Sequence, residues 1–153
     1  MIRAVVDANV LISGAIVTHG ASAFITEAIK RRQFLFITCR RNLRETYRVL
    51  GYRRVRRKYR VRDRDRKRLI GRLAFIGEFV EPIGGAQICR DPTDDYLIEM
   101  AILGRATHLV TGDEDFHGDP ALLRFLQERD VAVIRPADFA TLLREHTISG
   151  DSS

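Results

Sequence analysis

The chain has 153 residues, of which 45% are hydrophobic and 30% charged, a composition typical of one soluble globular domain rather than a disordered chain. No apolar stretch approaches the roughly 20 residues of a membrane-spanning helix, and Asp7 interrupts the first apolar run, so neither a membrane anchor nor a secretory signal peptide is expected. Cys39 and Cys89 are too few for a disulfide scaffold, and we therefore expect a cytoplasmic location.

The net charge of +6 is unevenly distributed along the chain. Residues 40–72 carry 16 Lys and Arg and three acidic residues, a net charge of +13, whereas the remaining residues carry 10 Lys and Arg and 17 acidic residues, a net charge of −7. The basic third suits a polyanionic partner and the acidic remainder suits cations. The alternative is that the arginine-rich helices are simply solvated faces without a ligand.

Short apolar runs alternate with amphipathic segments, which predicts βα units and an α/β fold with a central parallel sheet of about five strands. The predicted strands cover residues 3–6, 34–37, 79–82, 109–111 and 131–134. The predicted helices cover residues 21–32, 40–50, 63–77, 92–103, 120–127 and 136–144. We expect residues 1–146 to form a single domain and residues 147–153 a flexible polar tail.

Acidic residues follow several of these predicted strands. Asp7 closes the first strand, and Asp113 follows the fourth. Asp94 and Asp95 lie in the first turn of a predicted helix, which starts at the sheet edge where the preceding strand ends, and Glu45 lies within the helix after the second strand. The carboxyl ends of parallel strands share one edge of the sheet, where ligands bind. Clustered carboxylates repel one another and are costly to desolvate, so this pattern predicts a site for a hard cation such as Mg²⁺ or Mn²⁺.

Most of these acids also have a simpler interpretation. Asp94 and Asp95 could only complement the helix dipole, Asp113 could be a turn residue, and Glu45 could be a solvated helix acid. Asp7 is hardest to dismiss, because an acid that closes a buried strand needs a polar partner. The pattern leaves open which of Asp94 and Asp95 faces the site. A zinc site is not expected, because the four histidines are scattered without Cys/His ligand spacing.

Three segments resemble the motifs of PIN domains. The first is Val5-Val6-Asp7-Ala8-Asn9-Val10-Leu11-Ile12-Ser13, the second runs over residues 90–101 from Arg-Asp-Pro-Thr-Asp-Asp, and the third is Leu109-Val110-Thr111-Gly112-Asp113-Glu114-Asp115-Phe116. The second segment is similar to that of one branch, the VapC-like ribonucleases that act as toxins in bacterial toxin–antitoxin systems. The resemblance covers nearly the whole domain, from about residue 2 to residue 143.

The resemblance implies a Rossmann-like α/β/α sandwich and an endoribonuclease that depends on Mg²⁺ or Mn²⁺. It implies four catalytic acids: Asp7, Glu45, Asp94 and Asp113. Of these, Asp7, Asp94 and Asp113 would bind the metal. The supporting polar residues would be Asn9, Asp95, Thr111 and Asp115. The resemblance further implies a homodimer and a cognate antitoxin protein as partner.

A very basic segment, residues 53–62, connects the two helices after the second strand, and we expect it near the acidic edge. Its cations can contact the phosphate backbone of a nucleic acid. The candidate RNA-binding residues are Arg53, Arg54, Arg56, Arg57 and Lys58. Tyr52 and Tyr59 are either platforms on which unpaired bases stack or edges of the hydrophobic core.

Two other functions compete with the ribonuclease. A non-catalytic RNA-binding or protein-interaction PIN module would have the same fold with vestigial acids. A phosphotransfer enzyme or receiver domain would also use an acid at a strand end. However, a phosphatase of the haloacid dehalogenase type would need a second Asp where Asn9 stands, and a receiver would need a Lys after a late strand. Neither pattern is met well, so the ribonuclease is the favoured prediction.

Overall fold

The computed structural model describes residues 1–83 and 95–151, apart from the side chains of residues 95, 150 and 151. The five strands are β1 (Arg3–Val6), β2 (Leu35–Thr38), β3 (Glu78–Phe79), β4 (His108–Val110) and β5 (Ala132–Ile134). The helices within the described ranges are α1 (Ala8–Ile16), α2 (Ala21–Lys30), α3 (Arg40–Leu50), α4 (Arg53–Tyr59), α5 (Asp63–Ile76), α6 (Asp95–Leu103), α7 (Glu114–His117), α8 (Pro120–Gln127) and α9 (Pro136–Asp151).

The strands form one parallel sheet in the order β3-β2-β1-β4-β5, which confirms the predicted α/β fold with a central parallel sheet. From β1 the chain moves outward to β2 and β3, and it then returns to the other side of β1 to add β4 and β5. The direction of winding therefore reverses between β1 and β4. In open α/β sheets a ligand crevice forms at the carboxyl ends of the two strands that flank such a reversal.

Helices cover both faces of the sheet and give the α/β/α sandwich. Ala4 and Val6 of β1 pack into a core with α2, α5 and α9, whereas Val5 packs into a second core with α6 and α8. Because β1 is buried on both faces, its sequence is a continuous apolar run rather than an alternating one. The run ends at Asp7, the first residue after the strand. Asp7 therefore lies at the carboxyl edge of the sheet, next to the helices of both faces.

Three helices were not predicted from the sequence. The apolar residues after Asp7 form α1, and a helix buried on most sides lacks the polar face that would distinguish it from a strand. Helix α4 has no buried residue and five cations among its seven residues, so it has no apolar periodicity to detect. Helix α7 has only four residues.

The last helix is longer than predicted. It continues to Asp151, and so includes residues 147–151 of the segment predicted as a polar tail. The hydroxyl groups of Thr147 and Ser149 donate to the carbonyl oxygens of Leu143 and Glu145, at 2.9 and 3.1 Å. These polar side chains are therefore satisfied by the helix backbone itself, a bonding mode that composition alone does not reveal.

Within the described ranges no single helix is long and apolar enough to cross a membrane, and the only pair that would reach that length together, α1 and α2, meets at an angle of 96°.

Gly14 of α1 allows close contact with α2. A Cβ atom at this position would overlap the Thr26 hydroxyl and lie 2.5 Å from the carbonyl oxygen of Ser22. Gly14→Ala should therefore lower the free energy of unfolding by about 1–3 kcal/mol, because the two helices must move apart. Gly71 of α5 is the matched control, since a Cβ there meets nothing within 4 Å. Gly71→Ala should raise the free energy of unfolding by about 0.5–1 kcal/mol. Urea unfolding measures both, and the same sign for both variants would contradict the prediction.

Candidate active site at the carboxyl edge of the sheet

Asp7 lies where β1 ends and α1 begins, and both elements hold it. Its backbone N–H donates to the carbonyl oxygen of Val110 at 2.9 Å, which continues the pairing of β1 with β4. Its carboxylate caps α1, because Oδ1 accepts from the backbone N–H of Asn9 at 3.2 Å. Oδ2 accepts from the hydroxyl of Thr111 at 2.8 Å. The residue is 7% exposed, so the strand-closing acid has the polar partners that a buried carboxylate requires.

The environment of Asp7 disfavours its negative charge. Burial raises the pKa of the Asp7 carboxyl above its ordinary value. The hydrogen bonds from Thr111 and Asn9 act in the opposite direction, and the negative charges of Glu45 and Asp113 raise the pKa further. Glu45 and Asp113 are thus each close enough to repel Asp7. A positive charge placed among them would relieve both the repulsion and the cost of burial.

Glu45 reaches the edge of the sheet through a contact with α6. The phenol of Tyr96 donates to Oε2 of Glu45 at 3.0 Å. The guanidinium of Arg41 lies 4.4 Å from the centroid of the Tyr96 ring. Burial and the charges of Glu45 and Asp7 raise the pKa of the Tyr96 phenol, so it remains a neutral hydrogen-bond donor at physiological pH. Glu45 is therefore a fixed, half-buried acid rather than a freely solvated one.

Asn42 anchors α3 to β1 immediately before Asp7. Its Nδ2 donates to the carbonyl oxygen of Val6 at 3.0 Å. Its backbone N–H donates to Sγ of Cys39, at 3.4 Å, so Cys39 caps α3. Because Glu45 lies three residues after Asn42 on the same helix, this anchor sets how close Glu45 lies to Asp7.

Two residues of the site, Asn42 and Tyr96, were not predicted from the sequence. Asn42 occupies a core-facing position of α3, and a polar residue among apolar ones at helical spacing was the available signal. Tyr96 directly follows the acidic pair Asp94–Asp95 in the chain, in the first turn of α6. An aromatic residue with a hydroxyl beside two candidate ligands was a second signal, although its partner Glu45 is distant in sequence.

Thr111 makes hydrogen bonds to both Asp7 and Asp113. Its hydroxyl donates to Asp7 and accepts from the backbone N–H of Asp113, at 3.1 Å. Asp113 in turn caps α7, because its Oδ1 accepts from the backbone N–H of Asp115 at 2.9 Å. Asp113 is therefore a turn residue, which was the simpler interpretation of its position in the sequence. It also contributes negative charge near Asp7.

Two predicted supporting residues contribute through the backbone. Asn9 and Asp115 each donate a main-chain N–H to a site carboxylate, while their own side chains are exposed. Asp94 lies outside the described residues, and Asp95 is the first residue of α6. Of the predicted acids, the structure therefore brings together Asp7, Glu45 and Asp113.

The oxygen donors at this edge suit a hard cation. Within residues 1–83 and 95–151, no group of three or more Asp, Glu, His or Cys side chains is arranged to hold a metal ion by itself. Mg²⁺ keeps several of its waters and needs only one or two protein carboxylates, so it does not require a site in which the protein supplies every ligand. The buried Asp7 carboxylate, with neighbouring acids that disfavour its charge, fits that requirement.

The basic helix α4 is attached to the rest of the fold through Val55. This side chain packs, partly buried, against a cluster formed by Leu50 of α3 and by Ala8 and Ile12 of α1. Tyr52 and Tyr59 are 48% and 39% exposed, so each ring is partly open to solvent. Arg56 pairs with Asp63 at 3.3 Å across the turn to α5.

A protein-family model described as PIN domain matches residues 3–115, a range that contains Asp7, Glu45 and Asp113. The chain belongs to the PIN domain family. PIN domains are generally nucleases, typically metal-dependent ones, and the parallel sheet flanked by helices agrees with their fold. Neither a search of curated proteins nor a search of solved structures returned a match to this chain.

The raised pKa of Asp7 predicts a pH-dependent effect on the stability of this PIN domain without metal. The folded protein binds the Asp7 proton more tightly than the unfolded chain does, so stability from this group is present at low pH and is lost as pH rises through the folded pKa. In EDTA, Asp7→Asn should therefore be more stable than the wild type at neutral pH. The difference should vanish below about pH 4, where unfolded aspartates are protonated. Thermal melts across this range measure it.

Asp130→Asn is the control for that measurement. Asp130 is an exposed residue in the turn before β5, at the opposite edge of the sheet. It makes the same chemical change without removing a buried charge. Because Asp130 has a left-handed backbone with φ of 61°, which Asn favours, the variant can differ in melting temperature from the wild type, but the difference should be the same at every pH. A neutral-pH stability of Asp7→Asn below that of the wild type would contradict the prediction.

Proposed function

We propose that this PIN domain is a Mg²⁺- or Mn²⁺-dependent endoribonuclease that cleaves single-stranded or structured RNA, and that it is the toxin of a toxin–antitoxin pair. The observation that carries the nuclease is the buried carboxylate of Asp7, which lies where the winding of the sheet reverses and is repelled by Glu45 and Asp113. A buried acid with this electrostatic environment marks a functional site. The toxin role, the cognate antitoxin and a homodimer rest on the resemblance of the motifs to VapC-like proteins.

In this proposal the acids at the edge of the sheet bind the metal. Asp7, Asp94 and Asp113 would be its ligands, and the cation when bound supplies charge neutralisation and an activated water for phosphodiester hydrolysis. Thr111 and the N–H of Asn9 hold the two oxygens of Asp7 in fixed directions. Glu45, held by Tyr96, completes the catalytic set. Asp95, Asp115 and Asn9 are supporting residues.

The basic helix α4 would hold the substrate strand. Its cations Arg53, Arg54, Arg56, Arg57 and Lys58 are exposed, and Val55 packs against the cluster of Ala8, Ile12 and Leu50, which supports a position of α4 near α1. Exposed cations contact phosphates without reading sequence, and the exposed rings of Tyr52 and Tyr59 are available for base stacking.

A cleavage assay tests the nuclease. A pool of labelled single-stranded RNAs is incubated with wild type, Asp7→Asn and Asp130→Asn, each with Mn²⁺, with Mg²⁺ and with EDTA. We expect metal-dependent cutting by the wild type and by Asp130→Asn. Asp7→Asn should lose about 100-fold or more in rate, because stabilisation of transition-state charge by a bound metal contributes several kcal/mol. Binding of RNA by this variant should remain.

Two results would count against the proposal. Salt-sensitive RNA binding without cutting under any metal condition would favour the alternative, a non-catalytic RNA-binding module. Equal cutting by Asp7→Asn and the wild type would show that the acidic edge is not the site of the reaction.

The role of α4 is tested by neutralising three of its cations. The triple variant Arg56→Ala, Arg57→Ala and Lys58→Ala should keep its fold, because α4 has no buried residue. Each phosphate that the protein no longer neutralises should reduce the slope of log K against log salt by about 0.7, so the slope of the triple variant should fall by up to about 2. Fluorescence anisotropy with single-stranded RNA in EDTA measures this. Unchanged affinity at low salt would refute the role of α4.

A further inference from the structure

A cavity of about 290 Å³ opens between α1, α2 and the segment from the end of α4 to α5. It is separate from the acidic edge, although both border α1. Gly14 and Ala15 form the α1 wall of the cavity, and Leu50, Leu69 and Val61 contribute an apolar lining. Gly14 lies seven residues after Asp7, or about 10 Å along the helix axis.

Four cations line this cavity without a protein partner. They are Lys30, Arg60, Arg68 and Arg72, and none of them makes an ion pair, a hydrogen bond or a ring contact within the described part of the chain. Asp65 is the one acidic side chain among the lining residues that the structure describes. Like charges gathered in a concave surface repel one another and raise the local concentration of anions.

Arg66, in contrast to these four cations, has a structural role. It also lines the cavity, but it donates two hydrogen bonds to the carbonyl oxygen of Tyr47, at 2.7 and 3.2 Å, and pairs with Asp63 at 2.9 Å. It fastens α5 to α3. The four unpaired cations have no such function in the fold, so their charge is available for a ligand.

Arg60 ends α4 with φ of 54° and ψ of 43°, a left-handed conformation that favours glycine and that Arg32, Arg105 and Asp130 also adopt. Its side chain lines the cavity. Glycine would make this turn more easily, so the charge of Arg60 can be removed without disturbing the turn.

The lining identifies the class of ligand. Unpaired cations suit phosphate groups, and the apolar lining together with the half-exposed ring of Tyr59 suits a base, which is the combination found in single-strand binding sites. The volume is at the small end for ligand pockets and fits one nucleotide unit. We propose that this cavity binds a phosphate-bearing nucleotide of the RNA strand that flanks the bond cleaved at the acidic edge. This inference rests on the proposed function.

The test compares variants that remove or keep two positive charges of the cavity with a variant that removes a charge elsewhere. The double variant Arg68→Gln/Arg72→Gln removes two exposed cations, and Arg68→Lys/Arg72→Lys keeps them. Arg124→Gln, on the exposed face of α8 at the other end of the sheet, is the matched control. Binding of labelled oligouridylate is measured by fluorescence anisotropy in EDTA over a range of salt concentrations.

We expect the slope of log K against log salt to fall by about 1.4 in the Gln double variant, which is about 0.7 for each neutralised phosphate. The Lys double variant and Arg124→Gln should keep the wild-type slope, because the slope reports the number of charges that neutralise phosphates.

Arg60→Gly separates an effect on RNA binding from an effect on folding. Its slope should fall by about 0.7 while its melting temperature does not fall, since glycine adopts this turn without strain.

The outcomes separate this inference from the proposed function. If the wild type binds RNA with salt sensitivity and the Gln double variant has the same slope and affinity, the cavity site is wrong and the nuclease proposal is unaffected. If the wild type does not bind oligouridylate, the cavity site is wrong, and the cleavage assay decides the nuclease proposal separately. A labelled polyglutamate of matched charge is the second probe, and weaker binding of polyglutamate alone by the Gln double variant would assign the cavity to an acidic peptide and overturn the inference.

Discussion

The hydrogen bond from the Thr111 hydroxyl to the Asp7 carboxylate is the interaction on which the site depends. A carboxylate that is 7% exposed persists only when its oxygens have donors, and one donor comes from the adjacent strand while the other comes from the helix that the residue caps. The same hydroxyl accepts from the N–H of Asp113. The position of the second acid therefore follows from the way in which the first is held.

The rest of the acidic edge is assembled by polar anchors on an apolar frame. Asn42 ties α3 to the last residue of β1, and Tyr96 ties α6 to Glu45. These contacts gather negative charge around Asp7, and the pKa of that carboxyl is raised as a result. The arrangement reduces the stability of the protein in the absence of a cation and favours binding of one. In the proposed function, stability and metal binding thus make opposite demands on the same carboxylate.

Residues 40–72, which include α3, α4 and α5, carry 16 of the 26 Lys and Arg, and the last two of these helices are joined to α1 by an apolar cluster. Val55, Val61 and Leu69 contact a cluster formed by Ala8, Ile12 and Leu50. This cluster joins the basic helices to α1, whose N-cap is Asp7. A polyanion on the basic surface and a cation at the acidic edge are compatible, because opposite charges carried by the two ligands attract.

The sequence by itself determined the parallel α/β fold and both ends of α3 and α8. It also determined that Asp7 follows β1 and that Asp113 follows β4. Each of these features follows from a local pattern of apolar and capping residues. The same reasoning failed at α1, where burial on most sides removes the periodicity, and at α4, where there is no apolar face. Only the tertiary structure decided that Glu45 lies near Asp7, that Thr111 bonds the Asp7 side chain, and that Asn9 contributes its backbone rather than its amide. The bond between Thr111 and Asp7 joins residues 104 positions apart, and such a contact depends on the order of strands in the sheet, which no local pattern encodes.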